Sequence, residues 1–321
     1  MNTTLRALAC GAALLIASGA SIAQPWPTKP VRLVTPFAPG GPTDIIARLT
    51  GQKLTELLGQ PMVVESRAGA GGNIGTASVA KSAPDGYTVL VTSSAYAVNV
   101  SLSPNAGYDA DKDFIPVVVV AKQANLIFAH PGLGVKTLGE LLALAKTRKL
   151  AFASPGSGTT PHLTAENLFN VLSKLDMTPI HFRGAGPAIA AVVGGEPPVG
   201  AGAASTPLPH IKAGRLVPIA VSSAARVAAL PDVPTFAEAG FPGVEDDTWI
   251  GIFVPAGTPQ GIVQRLNESV NQSLRTPDMK EKLDALAFEP VGGTPQQFAS
   301  YVKAEIAKWG KVVRAGNIKA E

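Results

Sequence analysis

Residues 36–44 form a loop of proline, glycine and small polar residues that is suited to hold an anion but not to transform one. The apolar stretch 31–34 precedes it, and apolar side chains recur at helical spacing over residues 45–58. Thr43 or Asp44 is a suitable N-cap for that helix. The free amides of a first helical turn and the helix dipole favour an anion in such a loop. The predicted ligand contacts here are Phe37, Ala38, Pro39, Gly40, Gly41, Thr43 and Asp44.

Residues 154–162 repeat this order of strand, loop and helix. Thr160 and Pro161 suit the N-cap and the first position of a helix that runs to about residue 173. Two such anion receptors in one chain, one per domain, could face each other across a cleft. The predicted ligand contacts in the second loop are Ser154, Ser157, Gly158, Thr159, Thr160 and His162.

A serine and a histidine in the second loop raise a Ser–His hydrolase as an alternative. The residues around Ser157 do not fit Gly-x-Ser-x-Gly, and His162 in a first helical turn is poorly placed to take a proton from that serine. The four histidines lack metal-binding spacing, and the glycine-rich residues 67–75 fit neither the dinucleotide nor the Walker template. We therefore predict a binding protein without catalytic residues, metal or cofactor.

Three residues directly after the apolar strand 87–92 are further candidates for ligand contacts. Ser93, Ser94 and Tyr96 lie in a segment that we predict to be a loop. In open α/β sheets, ligands bind beyond the carboxyl ends of the strands, which places these residues near the first loop. Tyr96 could form a wall for a ring or a chain, and an ordinary half-buried tyrosine is the alternative.

Charged and polar residues later in the chain extend the candidate site. Arg183 follows the strand 177–182 and could pair with an acid, although a solvated or structural arginine is the alternative. Ser205 belongs to a small, apolar segment that offers backbone and hydroxyl donors. Asp247 ends an acidic run and could accept a hydrogen bond from the ligand, whereas such a run is more often a solvated face.

The composition and the first residues indicate an exported globular protein. Apolar residues make up 46% and charged residues 16% of the chain, so we expect a packed core. Residues 1–23 combine one charged side chain, Arg6, with an apolar run and a small-residue end, which predicts a signal peptide cleaved after Ala23 and a periplasmic location. The single cysteine, Cys10, lies in this segment. The net charge is +4 with no cluster of Lys and Arg, so we expect no nucleic-acid partner.

Strand and helix patterns alternate along the chain, which predicts an α/β fold. The apolar run 114–129 is long enough to leave one domain and enter the next. The acidic run 245–247 precedes the apolar strand 249–254, which we expect near a second crossover between domains. Phe298, Tyr301 and Trp309 recur at helical spacing in the last helix and are expected to pack in the core.

Several motifs, in this order, resemble the Bug-type extracytoplasmic solute receptors of tripartite tricarboxylate transporters. They are Pro-Phe-Ala-Pro-Gly-Gly at 36–41, Arg-Ala-Gly-Ala-Gly-Gly-Asn-Ile-Gly at 67–75, Pro-Asp-Gly-Tyr-Thr at 84–88, Leu-Pro-Asp-Val-Pro-Thr at 230–235, and Trp249 followed by Pro-Ala-Gly-Thr-Pro at 255–259. The resemblance implies a periplasmic-binding-protein fold of type II, with two α/β domains joined by two crossing strands around a ligand cleft. We expect residues 24–124 and 245–321 in domain 1 and residues 125–244 in domain 2.

The resemblance also implies a function. The two loops would hold a small carboxylic acid, with Ser93, Ser94, Arg183, Gly184, Ala185 and Asp247 lining the cleft. The receptor, expected to be a monomer, would deliver the acid to the membrane subunits of a tripartite tricarboxylate-type transporter, or would act as a periplasmic sensor with the same fold. Residues 201–205 lack the acidic residue common in the family. With Tyr96 nearby, the pocket could then admit an aromatic acid, including an aromatic dicarboxylate.

Overall fold

The computed structural model describes residues 26–103, 105–315 and 318, and the expected cleavage after Ala23 lies outside them. Its strands in chain order are β1 (Val31–Thr35), β2 (Met62–Ser66), β3 (Thr88–Ser93), β4 (Phe114–Ala129), β5 (Ala151–Ser154), β6 (Thr178–His181), β7 (Val199–Ala203), β8 (Val217–Val221), β9 (Asp247–Pro255) and β10 (Glu289–Gly292). Within the described ranges, no helix is both long and apolar enough to cross a membrane.

The helices alternate with the strands over most of the chain. In chain order they are α1 (Pro42–Leu58), α2 (Asn73–Ala80), α3 (Ala95–Leu102), α4 (Leu138–Thr147), α5 (Thr160–Glu166), α6 (Ala185–Val193), α7 (Leu208–Lys212), α8 (Gln260–Leu274), α9 (Pro277–Ala285) and α10 (Pro295–Ala315). Helix α5 continues as a π-helix over Asn167–Leu172. The predicted mixed α/β class is therefore confirmed.

The strands form one sheet in the order β2-β1-β3-β9-β4-β7-β5-β6, with β8 and β10 also paired to β4. The first part of β4 pairs antiparallel with β9, and this pairing ends at Ala124 opposite Asp247. From Asn125 onward, β4 pairs instead with β7 and β8. The long apolar run 114–129 is thus a strand shared by two halves of the molecule, as its length predicted, and the chain returns to the first half in β9.

Each half has its own buried core beside the shared strand. In the first half, Leu33, Ile46 and Ile252 pack between the sheet and its helices. In the second half, Phe152 and Phe169 belong to a separate cluster of buried side chains. The last helix contributes Phe298 and Trp309 to the first half, as its pattern predicted. Two cores meeting at β4 and β9 agree with the expected architecture of two α/β domains and two crossing strands.

Local predictions were wrong at three places. A loop was predicted over residues 93–99, but helix α3 begins at Ala95. This helix is buried on most sides and therefore shows little of the polar–apolar periodicity that marks a surface helix. The N-cap of α1 is Gly41, not Thr43 or Asp44, because Pro42 takes the first helical position. Helix α5 likewise begins one residue early, with Thr159 as N-cap. Helix α9 and strand β10 were not predicted.

Candidate ligand-binding site

Four helices begin at one place between the two halves. Their N-caps are Gly41 for α1, Ser94 for α3, Thr159 for α5 and Gly184 for α6. Around a space of about 30 Å³ lie Phe37, Gly41, Pro42, Thr43, Ser93, Pro155, Thr159, Thr160, Pro161, Ala185, Ala203 and Thr248. Both predicted anion loops therefore contribute to a single site at the cleft, each from its own half.

The first loop is shaped by Asp44, which does not line this space. The Gly40 N–H donates to Asp44 Oδ2 at 3.0 Å, and Arg48 Nε donates to the same carboxylate at 3.0 Å. Asp44 is buried, so its charge is committed within the loop. This carboxylate holds the loop against its own helix, and contact of Asp44 with a ligand stays a prediction.

Thr43 has the properties expected of a ligand contact. It lines the central space and is buried. Its hydroxyl has no hydrogen-bond partner among the residues that the structure describes. A buried hydroxyl without a partner costs free energy unless something else bonds to it, so Thr43 is equipped to bind a ligand atom.

The second loop is held by its own hydroxyls. Ser154 Oγ accepts the Gly156 N–H at 3.2 Å, and Thr159 Oγ1 donates to the Gly156 carbonyl at 2.8 Å. Ser154 does not border the central space, whereas Thr159 and Thr160 do. Ser154 therefore shapes the loop, and its contact with a ligand stays a prediction.

His162 also lies behind the loop and not in the cleft. Its Nδ1 accepts the Gly158 N–H at 3.3 Å, and its ring meets that of His181 edge-on, with 4.5 Å between centroids. Burial, with a smaller contribution from His181, lowers the pKa of His162 to about 3, so the ring is neutral at neutral pH. His162 and Gly158 thus bond to each other within the loop, and their contact with a ligand stays a prediction.

The two halves touch each other directly around the cleft. The Ala38 N–H donates to the Arg183 carbonyl at 3.1 Å. Gly71 has φ of +60°, and a Cβ there would lie 2.2 Å from the Ser157 carbonyl oxygen in the other half. Only a residue without a side chain allows this approach. Ala38, Ser157 and Arg183 thus contribute backbone groups to the contact between the halves.

A chain of hydrogen bonds runs from the cleft to the crossing strands. Ser94 Oγ and Thr160 Oγ1 lie 2.9 Å apart, and Thr160 Oγ1 lies 2.7 Å from Thr248 Oγ1. Thr248 Oγ1 donates to Asn125 Oδ1 at 2.7 Å, and Asn125 Nδ2 donates to Asp246 Oδ1. All three hydroxyls and Asn125 are buried. The chain connects both halves with both crossing strands.

Asp246 and Thr248 were missed in the sequence. Asp246 also accepts the Thr164 hydroxyl at 2.7 Å. Burial raises the pKa of Asp246, and the hydrogen bonds from Thr164 and Asn125 oppose that shift. The acidic run 245–247 was the available signal, but it does not indicate which carboxylate turns inward.

Two predicted ligand contacts lie elsewhere in the structure. Tyr96 is only 2% exposed, stacks on Phe253 with 4.5 Å between ring centroids and donates its hydroxyl to the Ala110 carbonyl at 2.7 Å. Asp247 lies 3.4 Å from Lys122 Nζ and lines a groove of about 860 Å³ that shares no residue with the cleft lining. Helix α3 turns Tyr96 into the core, and Asp247 forms an ion pair, so neither residue borders the central space. Their contact with a ligand stays a prediction.

Ser205 and Arg183 occupy the margins of the site. The Ser205 N–H donates to Gln123 Oε1 at 2.7 Å, and Ser205 is buried without bordering the central space. The side chain of Arg183 is exposed beside a second space of about 170 Å³, which shares Phe37 and Pro155 with the first. Arg183 is therefore near the cleft but outside its centre.

The cleft would hold an anion without a full positive charge. No Lys, Arg or His is among the described residues that line the central space. The positive ends of the four helix dipoles and the amides of their first turns are the groups that could attract an anion instead. In the described part of the chain, no three or more His, Cys, Asp or Glu residues are grouped so that they could hold a metal ion.

Residues 46–318 match the family model described as the tripartite tricarboxylate transporter family receptor, TctC. The chain belongs to this family. The predicted resemblance to Bug-type receptors is thereby confirmed.

Three solved structures resemble this TctC-family protein over almost its whole length. The periplasmic binding protein BugD is 30% identical, with a TM-score of 0.89 over 92% of this chain and 100% of its own. Rpa4515 of R. palustris, solved with adipate, is 35% identical, with a TM-score of 0.89 over 92% and 99%. MatC (Rpa3494) from Rhodopseudomonas palustris, with bound malate, is 35% identical, with a TM-score of 0.85 over 90% and 100%. The fold is that of periplasmic binding proteins of this family.

Proposed function

We propose that this protein is a non-enzymatic receptor that binds a small carboxylic acid between its two halves. The observation that carries the proposal is the meeting of four helix N-termini at a buried cleft lined by neutral residues. Such a site attracts a carboxylate through amide donors and helix dipoles. The similar proteins solved with adipate and with malate support the same ligand class.

The size of the central space supports a hinge motion during binding. About 30 Å³ accommodates roughly two water molecules by this measure, which is less than a malate or an adipate needs. The halves must therefore separate to admit the acid and close over it. We propose that the hinge lies between Ala124 and Asn125, where the pairing partner of β4 changes from β9 to β7. Residues 24–124 and 245–321 would then move relative to residues 125–244.

The arrangement of Ser157 and His162 supports a receptor over a hydrolase. The Nδ1 atom of His162 already accepts the Gly158 amide, and the ring is buried next to His181. In the part of the chain that the structure describes, the Ser157 hydroxyl has no hydrogen-bond partner. A serine nucleophile requires a base within hydrogen-bond reach, and this loop is built differently.

Paired variants of helix α1 test the carboxylate site. Thr43 and Thr50 are both buried, and neither hydroxyl has a partner among the described residues, but only Thr43 lines the cleft. Calorimetric titration would use aliphatic and aromatic mono-, di- and tricarboxylates with the matched amides, on protein refolded to remove bound ligand. We expect Thr43→Val to weaken the tightest acid by about 10- to 100-fold, the range for a hydrogen bond to a charged group.

Thr50→Val is the matched control, because it removes the same kind of hydroxyl two helical turns away. It should leave the affinity unchanged. Equal affinities for the acids and their amides would refute the carboxylate site. Equal effects of the two substitutions would show that Thr43 does not contact the ligand.

The proposal includes delivery of the acid to the membrane subunits of a tripartite tricarboxylate-type transporter, as the family description implies. The receptor would act as a monomer in the periplasm after cleavage behind Ala23. Uptake of the identified acid should fall in a strain that lacks the receptor gene and return when the gene is restored. Unchanged uptake with a lost transcriptional response to the acid would favour the sensor role.

A further inference from the structure

We propose that the carboxylate ligand also carries a hydroxyl or ammonium group that donates a hydrogen bond to Thr160 and Thr248 at the floor of the cleft. This inference rests on the proposed function and narrows its ligand class. It comes from the hydrogen-bond chain that joins Ser94, Thr160, Thr248, Asn125 and Asp246. Each hydrogen bond in this series has a fixed donor and a fixed acceptor, and this order determines which hydrogen-bonding groups remain for a ligand.

This order begins at Asp246. Its carboxylate oxygens accept hydrogen bonds, so the side-chain amide of Asn125 must present its NH₂ group there. The same NH₂ group lies 3.1 Å from Thr164 Oγ1, a second acceptor. Asn125 Oδ1 is therefore turned the other way, towards Thr248.

Each following hydroxyl is then fixed in turn. Thr248 donates its single hydrogen to Asn125 Oδ1 at 2.7 Å, so towards Thr160 it can only accept. Thr160 must donate to Thr248 across 2.7 Å, and it can then only accept from Ser94 at 2.9 Å. The hydroxyl hydrogens of Ser94, Thr160 and Thr248 are thus all donated within this series of hydrogen bonds.

The floor of the cleft consequently offers acceptors alone. Thr160 and Thr248 both line the central space, and each retains one lone pair after its two hydrogen bonds in the chain. A carboxylate only accepts hydrogen bonds, so next to these two oxygens it would form none and would be repelled. The carboxylate therefore belongs at the amides and at Thr43, and a donor of the ligand belongs at the floor.

Matched pairs of acids measure this preference. The probes are malate and aspartate against succinate, lactate and alanine against propionate, and 2-hydroxyadipate and 2-aminoadipate against adipate, each titrated calorimetrically into ligand-free protein. On the carbon skeleton that binds most tightly, the hydroxy acid should bind about tenfold more tightly than the unsubstituted acid. An amino acid, whose ammonium donor is charged, should bind about 10- to 100-fold more tightly than the unsubstituted acid. The hydroxy and amino members identify which donor the site takes.

Thr248→Val removes one acceptor and frees the Thr160 hydrogen to point into the cleft. Valine has nearly the shape of threonine, and Thr248 is in a strand, so the variant should fold. The ratio of the two dissociation constants, hydroxy against unsubstituted acid, should then fall towards one. Thr248→Ser keeps the hydroxyl chain and should restore the ratio.

Thr258→Val is the control outside the site. Thr258 is also buried, and its hydroxyl donates to the Pro255 carbonyl at 2.7 Å, away from the cleft lining. This variant should keep the wild-type ratio. A ratio near one in the wild type, or a preference that survives Thr248→Val, would overturn the inference while leaving carboxylate binding intact. If no acid binds better than its amide, the proposed function itself fails and the inference falls with it.

Discussion

Replacing Gly71 with alanine should weaken ligand binding by holding the two halves apart. The added Cβ would lie 2.2 Å from the Ser157 carbonyl oxygen, whereas ordinary contact begins at about 3.4 Å. The obstacle is a backbone atom, so no side-chain rotation relieves it. The loops must therefore move apart by about 1 Å for the alanine to fit.

The size of the effect follows from the contacts that such a movement breaks. The bonds from Ala38 to Arg183 at 3.1 Å and between Ser94 and Thr160 at 2.9 Å would lengthen to about 4 Å, beyond hydrogen-bond range. Each bond contributes about 1 kcal/mol, so closure loses about 2 kcal/mol. Because the acid binds the closed form, its dissociation constant should rise about 30-fold.

The left-handed backbone of Gly71 requires a control for conformational strain. Gly59 has φ of +73°, and a Cβ there would meet no atom within 4 Å. Alanine at either position should lower the free energy of unfolding by about 1–2 kcal/mol, measured by urea denaturation. Calorimetric titration should show the loss of affinity for Gly71→Ala alone. If Gly71→Ala binds the acid as tightly as Gly59→Ala does, direct contact between these loops is not a feature of the bound state.

Three further substitutions test other parts of the structure. Tyr96→Phe removes the hydrogen bond to the Ala110 carbonyl, so urea denaturation should show a free energy of unfolding lower by about 1 kcal/mol. A change in ligand affinity would contradict the core position of this ring. His162 has a pKa of about 6.5 in the unfolded chain and of about 3 in the folded protein. Between these two pH values the unfolded chain binds the proton and the folded protein does not. The free energy of unfolding should therefore fall by up to about 1.4 kcal/mol for each pH unit by which the pH decreases. His162→Gln should flatten that slope in urea titrations at pH 7, 6 and 5, and an unchanged slope would assign it to other groups. Glu305→Ala removes the carboxylate that accepts hydrogen bonds from the indole N–H groups of Trp249 and Trp309, at 3.1 and 3.0 Å. It should lower the free energy of unfolding by at least about 2 kcal/mol. A decrease below about 1 kcal/mol would refute that pairing.

Local sequence patterns were sufficient to predict the two loops that form the cleft. Residues 36–44 and 154–162 combine a strand end, turn residues and a helix start within ten positions, and each signal depends on neighbours in the chain. The length of the apolar run 114–129 likewise predicted a strand that serves both halves, and β4 confirms it. Domain limits at 124/125 and 244/245 remain predictions that the change of partners along β4 supports.

Only the tertiary structure decided which side chains line the cleft. Tyr96 and Asp247 were predicted ligand contacts but do not border the central space, whereas Thr248 lines that space and was not predicted. The reason is that each orientation depends on partners far away in the chain: Phe253 stacks on Tyr96, Lys122 pairs with Asp247, and Asn125 accepts from Thr248. A strand end and a helix start are properties of a few consecutive residues, but the direction of a buried hydroxyl or carboxylate is set by the groups that the fold brings against it.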